Sequence, residues 1–510
     1  MATGARTLMV QGTASSVGKS LIVTALCRMF RQRGLRVAPF KSQNMALNSF
    51  VTADGAEIGR AQAVQAEAAG VAPTAQMNPI LLKPEAGMRS QVVVMGRPTG
   101  SMSFGDYHRR RPELIALIGE CLAHLRATYD VVVIEGAGSP AEINLRAHDI
   151  VNMHVAEAAE APVILVGDID RGGVFAQFVG TIDLLEPRHR ARVAAFLINK
   201  FRGDAALLEP GLNYLTERFA IPMLGVVPYV PRLRIADEDS VALDDRRGRR
   251  AAAEAEIDIA VARLPQISNY DDLLALEHEA GVAVRFIETA REIAGADLAI
   301  IPGSKSTAAD LEWLRQSGIA DMIIARARRG EPTIGICGGC QMLGATIEDP
   351  HGIESPRRST PGLDLLPIVT RFGRTKITAQ VRARVATPSI LCGGSAFAGE
   401  ISGYEIHMGT IERRGPSAAP FRIVARNGVA HNALDGAIDA GGAVAGTMLH
   451  GIFEGDGLRA ALLTGLRTRR GLGAPASPRI ATREEEYDRL AAAVRENIDW
   501  SLLERIAGLA

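Results

Sequence analysis

A β-branched apolar run, Thr333-Ile-Gly335-Ile, breaks at Cys337-Gly338-Gly339-Cys340-Gln341 and resumes as a helix-compatible stretch. A strand that turns this sharply into a helix belongs at the carboxyl edge of a parallel α/β sheet. The spacing Gly335-x-Cys337-x-Gly339 is the thiol counterpart of a nucleophile elbow. Flanking glycines let the backbone bend until the central side chain projects above the sheet. The helix N-terminus that follows supplies backbone N–H groups and a positive dipole end, both of which favour a thiolate. Cys337 and Cys340 also form a C-x-x-C pair, which leaves redox or metal chemistry as the alternative. A lone pair lacks the four ligands of a structural zinc site.

A nucleophilic thiol needs a base. Far downstream, Val444-Ala-Gly-Thr-Met-Leu-His450-Gly451 reads as a short strand ending in His450, a separation that suits Cys/His partners joined by the fold. A purely structural histidine is the alternative. The pair resembles the class I glutamine amidotransferase domain, in which Cys attacks the glutamine side-chain amide and His shuttles the proton. That resemblance implies L-glutamine as substrate. It also implies oxyanion donors at Gly338 and at Gly303, within Ile301-Pro-Gly303-Ser304. The family usually orients its His with a Glu two residues later. Ile452 stands there, and Glu454 is off register, so the residues define a Cys–His pair with no assigned third member.

The other end of the chain carries a second motif. Thr7-Leu-Met-Val-Gln11 reads as a strand, then Gly12-Thr13-Ala-Ser-Ser-Val-Gly18-Lys19-Ser20, then a helix from about Leu21 to Arg33. This is a P-loop with one extra residue between its glycines. Its backbone N–H groups cradle phosphate, Lys19 reaches the β/γ oxygens and Ser20 ligates Mg²⁺. Tyr129-Asp-Val-Val-Val-Ile-Glu135 is a buried strand ending in a carboxylate, the place of a Walker-B-like Mg²⁺ ligand. The stretched loop resembles dethiobiotin synthetase, a P-loop enzyme that phosphorylates a carboxylate. The resemblance implies ATP and Mg²⁺, adenine contact by Asn199, and Asp54 as a further metal ligand. A simple Asp-Gly turn is the alternative for Asp54. Asp168, Asp170 and Arg171 cluster at another strand end, where an α/β crevice binds Mg²⁺, phosphate or substrate. Lys41 and Asn44 lie in a polar stretch, either a substrate or phosphate contact or an ordinary βα loop. His407 either shapes the glutaminase site or satisfies core hydrogen bonds.

At 510 residues the chain is too long for one core. The alternation of strands and helices predicts two doubly wound α/β domains: a P-loop domain over 1–232 and an amidotransferase-like domain over 257–460. A charged linker over 233–256 separates them, and a helical extension over 461–510 follows. Leu490, Val494 and Ile498 share one helical stripe there. Basic and acidic residues balance at 57 each, which argues against a nucleic-acid partner. No apolar run approaches the ~18 residues of a membrane span. Five cysteines without framework spacing, and a first strand that starts almost at once, predict a cytoplasmic protein.

Four further blocks are similar to the cobyric acid synthase family: Pro39-Phe-Lys41-Ser-Gln-Asn44-Met-Ala-Leu-Asn48, Glu135-Gly-Ala-Gly-Ser-Pro-Ala-Glu142-Ile-Asn144, Gly167-Asp168-Ile-Asp170-Arg171-Gly-Gly173 and Gly403-Tyr404-Glu405-Ile-His407-Met-Gly409. That likeness implies ATP- and glutamine-dependent amidation of the b, d, e and g carboxylates of adenosylcobyrinic acid a,c-diamide. Cys340 takes a position usually aromatic in the family. The stretched P-loop also resembles the ParA/MinD partitioning ATPases, whose surface-binding role leaves Cys337 and His450 unexplained. An amidotransferase-like domain that has lost activity and senses glutamine is a third reading.

Overall fold

The computed structural model describes residues 4–85, 89–236, 238, 255–473 and 481–510. Most of the expected linker over 233–256 lies outside them.

The first domain is built on a six-stranded, all-parallel sheet. Its order is Met223–Pro228, Val193–Phe201, Val163–Asp168, Arg6–Gly12, Val131–Glu135, Val37–Phe40. Both faces are covered, so successive strand residues enter different cores: Leu8 and Val10 one, Met9 the other. Helix α1 (Lys19–Gln32) follows the P-loop, and helix α2 (Arg60–Ala69) packs beside it. Between Val37–Phe40 and Val131–Glu135 the chain also inserts a four-stranded sheet (Gln43–Met45, Ile80–Glu85, Arg89–Val94, Arg97–Ser103) and a ribbon (Ser49–Val51 with Glu57–Gly59).

The second domain repeats the α/β plan. Its sheet runs Val282–Ile287, Ile257–Ala262, Leu298–Ile301, Thr333–Ile336, Val444–Thr447, with Ala437–Ile438 as an antiparallel edge. A largely antiparallel sheet, centred on the long hairpin Ile368–Val385 and Glu400–Arg413, packs against it. The segment read as one strand ending in His450 is split between the two sheets. Val444–Thr447 pairs with Thr333–Ile336, whereas Leu449–His450 pairs with Glu400–Arg413. His450 therefore sits on the seam.

The helix Asp456–Arg469 buries Leu458, Leu462 and Leu466 in the second core. The extension then returns to the first domain. Tyr487, Leu490 and Val494 of the helix Arg483–Arg495, and Leu503 of Trp500–Ala507, join the core behind α1. The stripe expected to include Ile498 is cut short, because the helix ends at Arg495 and Ile498 forms an antiparallel bridge with Gly225.

Candidate active sites

Cys337 lies at the elbow between Thr333–Ile336 and the short helix Gly338–Leu343, with φ 49° and ψ −107°. That backbone is sparsely populated for a side-chain-bearing residue, and strain of this kind clusters at reactive turns. The close approach behind it demands glycine: a Cβ on Gly339 would stand 1.9 Å from the Ile301 carbonyl oxygen. The Cys337 N–H donates to Thr447 O at 2.7 Å, tying the elbow to the strand that leads to His450.

His450 is buried, and its Nδ1 lies 2.6 Å from Asp272 Oδ2. The other Asp272 oxygen accepts from the Gly451 N–H at 2.6 Å. Tyr404 stacks on the imidazole, with ring centroids 5.3 Å apart and planes 18° apart. The second ring nitrogen, Nε2, is buried without a hydrogen-bond partner. Burial opposes a charged imidazole, but the Asp272 carboxylate and the Cys337 sulfur beside it prevail and raise the His450 pKa to about 10. Cysteine, histidine and carboxylate thus form a triad with the logic of nucleophile, base and orienter. Glu454 is engaged elsewhere, pairing with Arg60 at 2.8 Å.

The third member was missed in the sequence. Asp272 follows the strand Ile257–Ala262 in Ser268-Asn-Tyr-Asp271-Asp272, and the available signal was a pair of acids just beyond a carboxyl strand end. Gly303 and Gly338 do converge on this site: an ideal Cβ on Gly303 would lie 2.9 Å from His450 Cε1, and one on Gly338 2.9 Å from the Ser304 nitrogen. Cys340 is fully buried against Gly446, and neither it nor Cys337 is in a disulfide. His407 bonds the Gly409 carbonyl through Nδ1 at 2.7 Å, and its buried Nε2 faces Glu405 at 3.6 Å.

In the P-loop, Gly18 has φ +96° and packs so tightly that a Cβ would stand 2.2 Å from Asn199 Nδ2. Asn199 donates to Val17 O at 2.9 Å and so braces the loop from below. Gly12 opens the turn, and Thr13 next to it bonds Gln177 at 2.9 Å. Lys19 Nζ donates to the carbonyls of Ala14 and Gly138, each at 3.1 Å. Burial and the neighbouring Lys41 push its pKa down.

The Ser20 hydroxyl lies 2.9 Å from Glu135 Oε1 and 3.0 Å from Glu238 Oε2. Lys41 pairs with Glu135 at 2.8 Å and also with Glu238. A hydroxyl and a carboxylate this close are hard oxygen donors of the kind Mg²⁺ takes, with phosphate oxygens and water completing the shell. Among the described residues no group of three His, Cys, Asp or Glu forms a metal cage by itself.

Asp54 lies in a turn of the inserted ribbon. It accepts a hydrogen bond from Thr52 in the Ser49–Val51/Glu57–Gly59 turn, whose next residue, Gly55, bonds Thr378 of the second domain. Asn44 bonds Gln62 at 3.0 Å. Asp168 pairs with Lys200 at 2.8 Å and Asp170 with Arg202 at 3.0 Å, so cations of the next strand engage both acids. Arg171 lines a cavity of about 1140 Å³ that opens from Lys19, Ser20 and Lys41. Met45, Phe104, Ile143 and Leu145, all exposed, stand around it.

A thiol triad that opens an amide has a purpose beside a phosphate site only if the nitrogen it frees is passed to an activated acceptor. This chain is a glutamine-dependent, amide-forming ligase with a nucleotide-binding synthetase half. Residues 8–242 match the CobQ/CobB/MinD/ParA nucleotide binding domain, and residues 258–458 match the CobB/CobQ-like glutamine amidotransferase domain. The chain is 64% identical to the cobyric acid synthase of Sorangium cellulosum over 99% of each chain. It is 52% identical to that of Dehalococcoides mccartyi strain CBDB1 over 97% of each, and 49% identical to that of Moorella thermoacetica over 99% of this chain and 98% of the relative. It belongs to the cobyric acid synthase family.

Proposed function

We propose that the chain amidates, one after another, the b, d, e and g carboxylates of adenosylcobyrinic acid a,c-diamide in cobalamin biosynthesis, with glutamine as nitrogen donor and ATP as activator. The observation that carries this reading is full-length similarity to cobyric acid synthases in a chain holding both an assembled triad and a P-loop that opens on a large cavity. At about 1140 Å³ the cavity exceeds the ~300–1,000 Å³ of ordinary small-ligand sites. Its exposed apolar rim suits a broad macrocycle.

In the glutaminase half, the Cys337 sulfur attacks the side-chain carbonyl carbon of glutamine. Backbone N–H groups at Gly338 and the Gly303 turn hold the developing oxyanion. His450, oriented by Asp272, gives its proton to the departing ammonia and then draws one from the water that hydrolyses the thioester. In the synthetase half, Gly12, Thr13, Gly18 and Lys19 hold the phosphates, and Asn199 is the adenine contact that the family resemblance implies. Ser20 and Glu135 hold Mg²⁺, which when bound neutralises phosphate charge. The substrate carboxylate attacks the γ-phosphorus, ADP leaves, and the acyl phosphate yields to ammonia, giving carboxamide and phosphate. Activation is needed because a carboxylate is a poor electrophile at neutral pH. Lys41, Asn44 and Arg171, which line the cavity, are the candidate substrate or phosphate contacts of this half, with Asp168 and Asp170 as the further candidates. Five free cysteines suit a reducing cytoplasm. No helix among the described residues is long and apolar enough to cross a membrane.

The test is ADP release with glutamine and Mg-ATP, with and without the corrinoid, and the mass of the product. Stepwise replacement of –OH by –NH₂, up to four times, is expected. An unchanged corrinoid with ATP still consumed would move the search to another carboxylate.

A further inference from the structure

Three rings stand together on the wall of the large cavity that opens from Lys19, Ser20 and Lys41. His108 lies near the end of the helix Phe104–Arg109, and His148 closes the single helical turn Arg146–His148. Their ring centroids are 4.0 Å apart, with the planes at 73°. Phe104, 65% exposed, lies parallel to His108 within 5° at 6.2 Å and meets His148 at 74° and 6.5 Å. Met45, Ile143 and Leu145 expose apolar side chains into the same space.

The two imidazoles are held by ring contacts alone. Among the described residues neither ring takes part in a hydrogen bond or an ion pair, and each touches only the other and Phe104. The acid next to His148 is already committed, since Asp149 accepts from the N–H groups of Val151, Asn152 and His154 at 2.8, 2.8 and 3.0 Å. His189, on the same wall, is by contrast engaged through Nε2, 3.2 Å from Glu157. Packing by itself would be served as well by phenyl rings. What His108 and His148 add is nitrogen donors beside an apolar surface.

Two imidazoles are too few to hold a free metal ion, and among the described residues no group of three His, Cys, Asp or Glu supplies the rest. A metal that arrives with its other positions filled needs only one donor. A corrinoid is such a ligand: the ring gives its cobalt four equatorial nitrogens, the adenosyl carbon takes the upper axial position, and water the lower. Neutral imidazole is the commonest metal ligand among side chains.

We infer that His148 is the lower axial ligand of the cobalt in the bound corrinoid, with His108 as the positioning residue that holds its ring. The inference rests on the corrinoid substrate proposed above. The step is a ligand exchange. A bond forms between an imidazole nitrogen and cobalt, the cobalt–water bond breaks, water leaves, and no electron is transferred. The chain that carries His148 leaves the sheet at Glu135 and is tied to the P-loop on the way, where Gly138 O accepts from Lys19 at 3.1 Å. One segment therefore links the cobalt anchor to the phosphate site. The arrangement answers a geometric problem. Four carboxylates on the ring edge must reach one P-loop in turn, and any grip on the edge has to be released at each step. A bond on the axis through cobalt survives rotation about that axis, so His148 serves as a pivot while each edge carboxylate comes to Lys19 and Ser20. The exposed apolar side chains offer a surface over which the ring face can slide.

The experiment binds adenosylcobyrinic acid a,c-diamide to the full-length enzyme without ATP or glutamine and records its visible spectrum. Imidazole in place of axial water moves the corrin absorption to longer wavelength, and wild type is expected to show that shift. His148→Ala, in an exposed turn, should lose it. It should also bind this corrinoid more weakly, by at least the roughly 10-fold that loss of even an outer partner costs a metal site. His108→Ala should keep the shift with weaker binding. The dicyano form of the corrinoid, with both axial positions occupied, should bind wild type and His148→Ala equally. No shift in wild type overturns the inference, and so does a shift that survives in His148→Ala. Equal weakening for both corrinoid forms overturns it too, because that marks plain packing. The mass of the product made by the same preparation separates the two readings. Amidation without a spectral shift removes the axial ligand alone, whereas a corrinoid neither bound nor amidated removes the substrate reading with it.

Discussion

Asp272 holds Nδ1 of His450 at 2.6 Å although 178 positions separate them in the chain. The carboxylate comes from the loop after the first strand of the amidotransferase sheet, not from the residues after the histidine. Asp272→Asn keeps the shape but favours the wrong imidazole tautomer. Glutamine-driven turnover should fall by roughly 10²–10⁴-fold, with ammonium-driven turnover retained. Glu454→Gln should leave glutaminase activity without nucleotide close to wild type. Glutamate release by the two variants, compared directly, tells which acid orients the base.

The motifs legible in the sequence are those whose chemistry bends the backbone. Gly335-x-Cys337-x-Gly339 and Gly12 to Ser20 announce themselves because a strand entering a helix through a tight turn needs glycines at set intervals. Asp272 was hard to find because its only local signal is the Asp271-Asp272 pair after a strand, and its partner His450 lies in a distant segment. The antiparallel hairpin was absorbed into a single α/β domain. Its alternation, buried Thr370, Phe372, Val381 and Ala383 against exposed Arg371, Arg382 and Arg384, is a period-two signal inside a chain dominated by buried parallel strands. The helical stripe of Leu490 and Val494 was legible, but its end was not, because Ile498 answers to a backbone bridge with Gly225.

His450 links folding to pH. Its folded pKa, raised to about 10, stands above the ordinary value of 6.5. The folded state therefore holds a proton that the unfolded chain releases. The resulting stabilisation is fully present below about pH 6.5 and disappears as pH climbs through about 10. His450→Gln lacks this titration. The stability difference between wild type and His450→Gln should shrink steadily across that window in urea unfolding series. A difference that grows with pH would contradict the assigned charge.

Glu57 sits fully buried between two lysines, Lys83 at 2.8 Å from its own domain and Lys376 at 2.5 Å from the amidotransferase domain. Burial alone would raise its pKa, but the two ammonium groups overcome that and hold the carboxyl below its usual range. Glu57→Gln strands two buried cations and should cost about 3–5 kcal/mol. The triple change Glu57→Leu, Lys83→Met, Lys376→Met removes every charge at once and should recover most of that loss. Denaturant midpoints of the two variants distinguish a charge cluster that holds the domains together from one that only fills space.

The C-terminal extension covers the outer face of α1. Leu490, Val494 and Leu503 are buried there with Ile22 and Leu26, and Trp500 lies 6.0 Å from Phe30. Arg28 of α1 is tied to Asp488 at 2.7 Å and Glu484 at 2.5 Å. Apolar burial should dominate, because both acids are half exposed and pairs of that kind are worth little. Leu490→Ala is expected to cost about 2–5 kcal/mol through lost transfer energy and the cavity left behind. Glu484→Gln should cost less than about 1 kcal/mol. Since α1 starts at Lys19, a loosened α1 should also raise the KM for ATP in Leu490→Ala while leaving glutaminase activity without nucleotide unchanged. Denaturant unfolding read alongside the two KM values checks this, and equal destabilisation by both variants would show that the ion pairs, not the buried leucine, hold the extension in place.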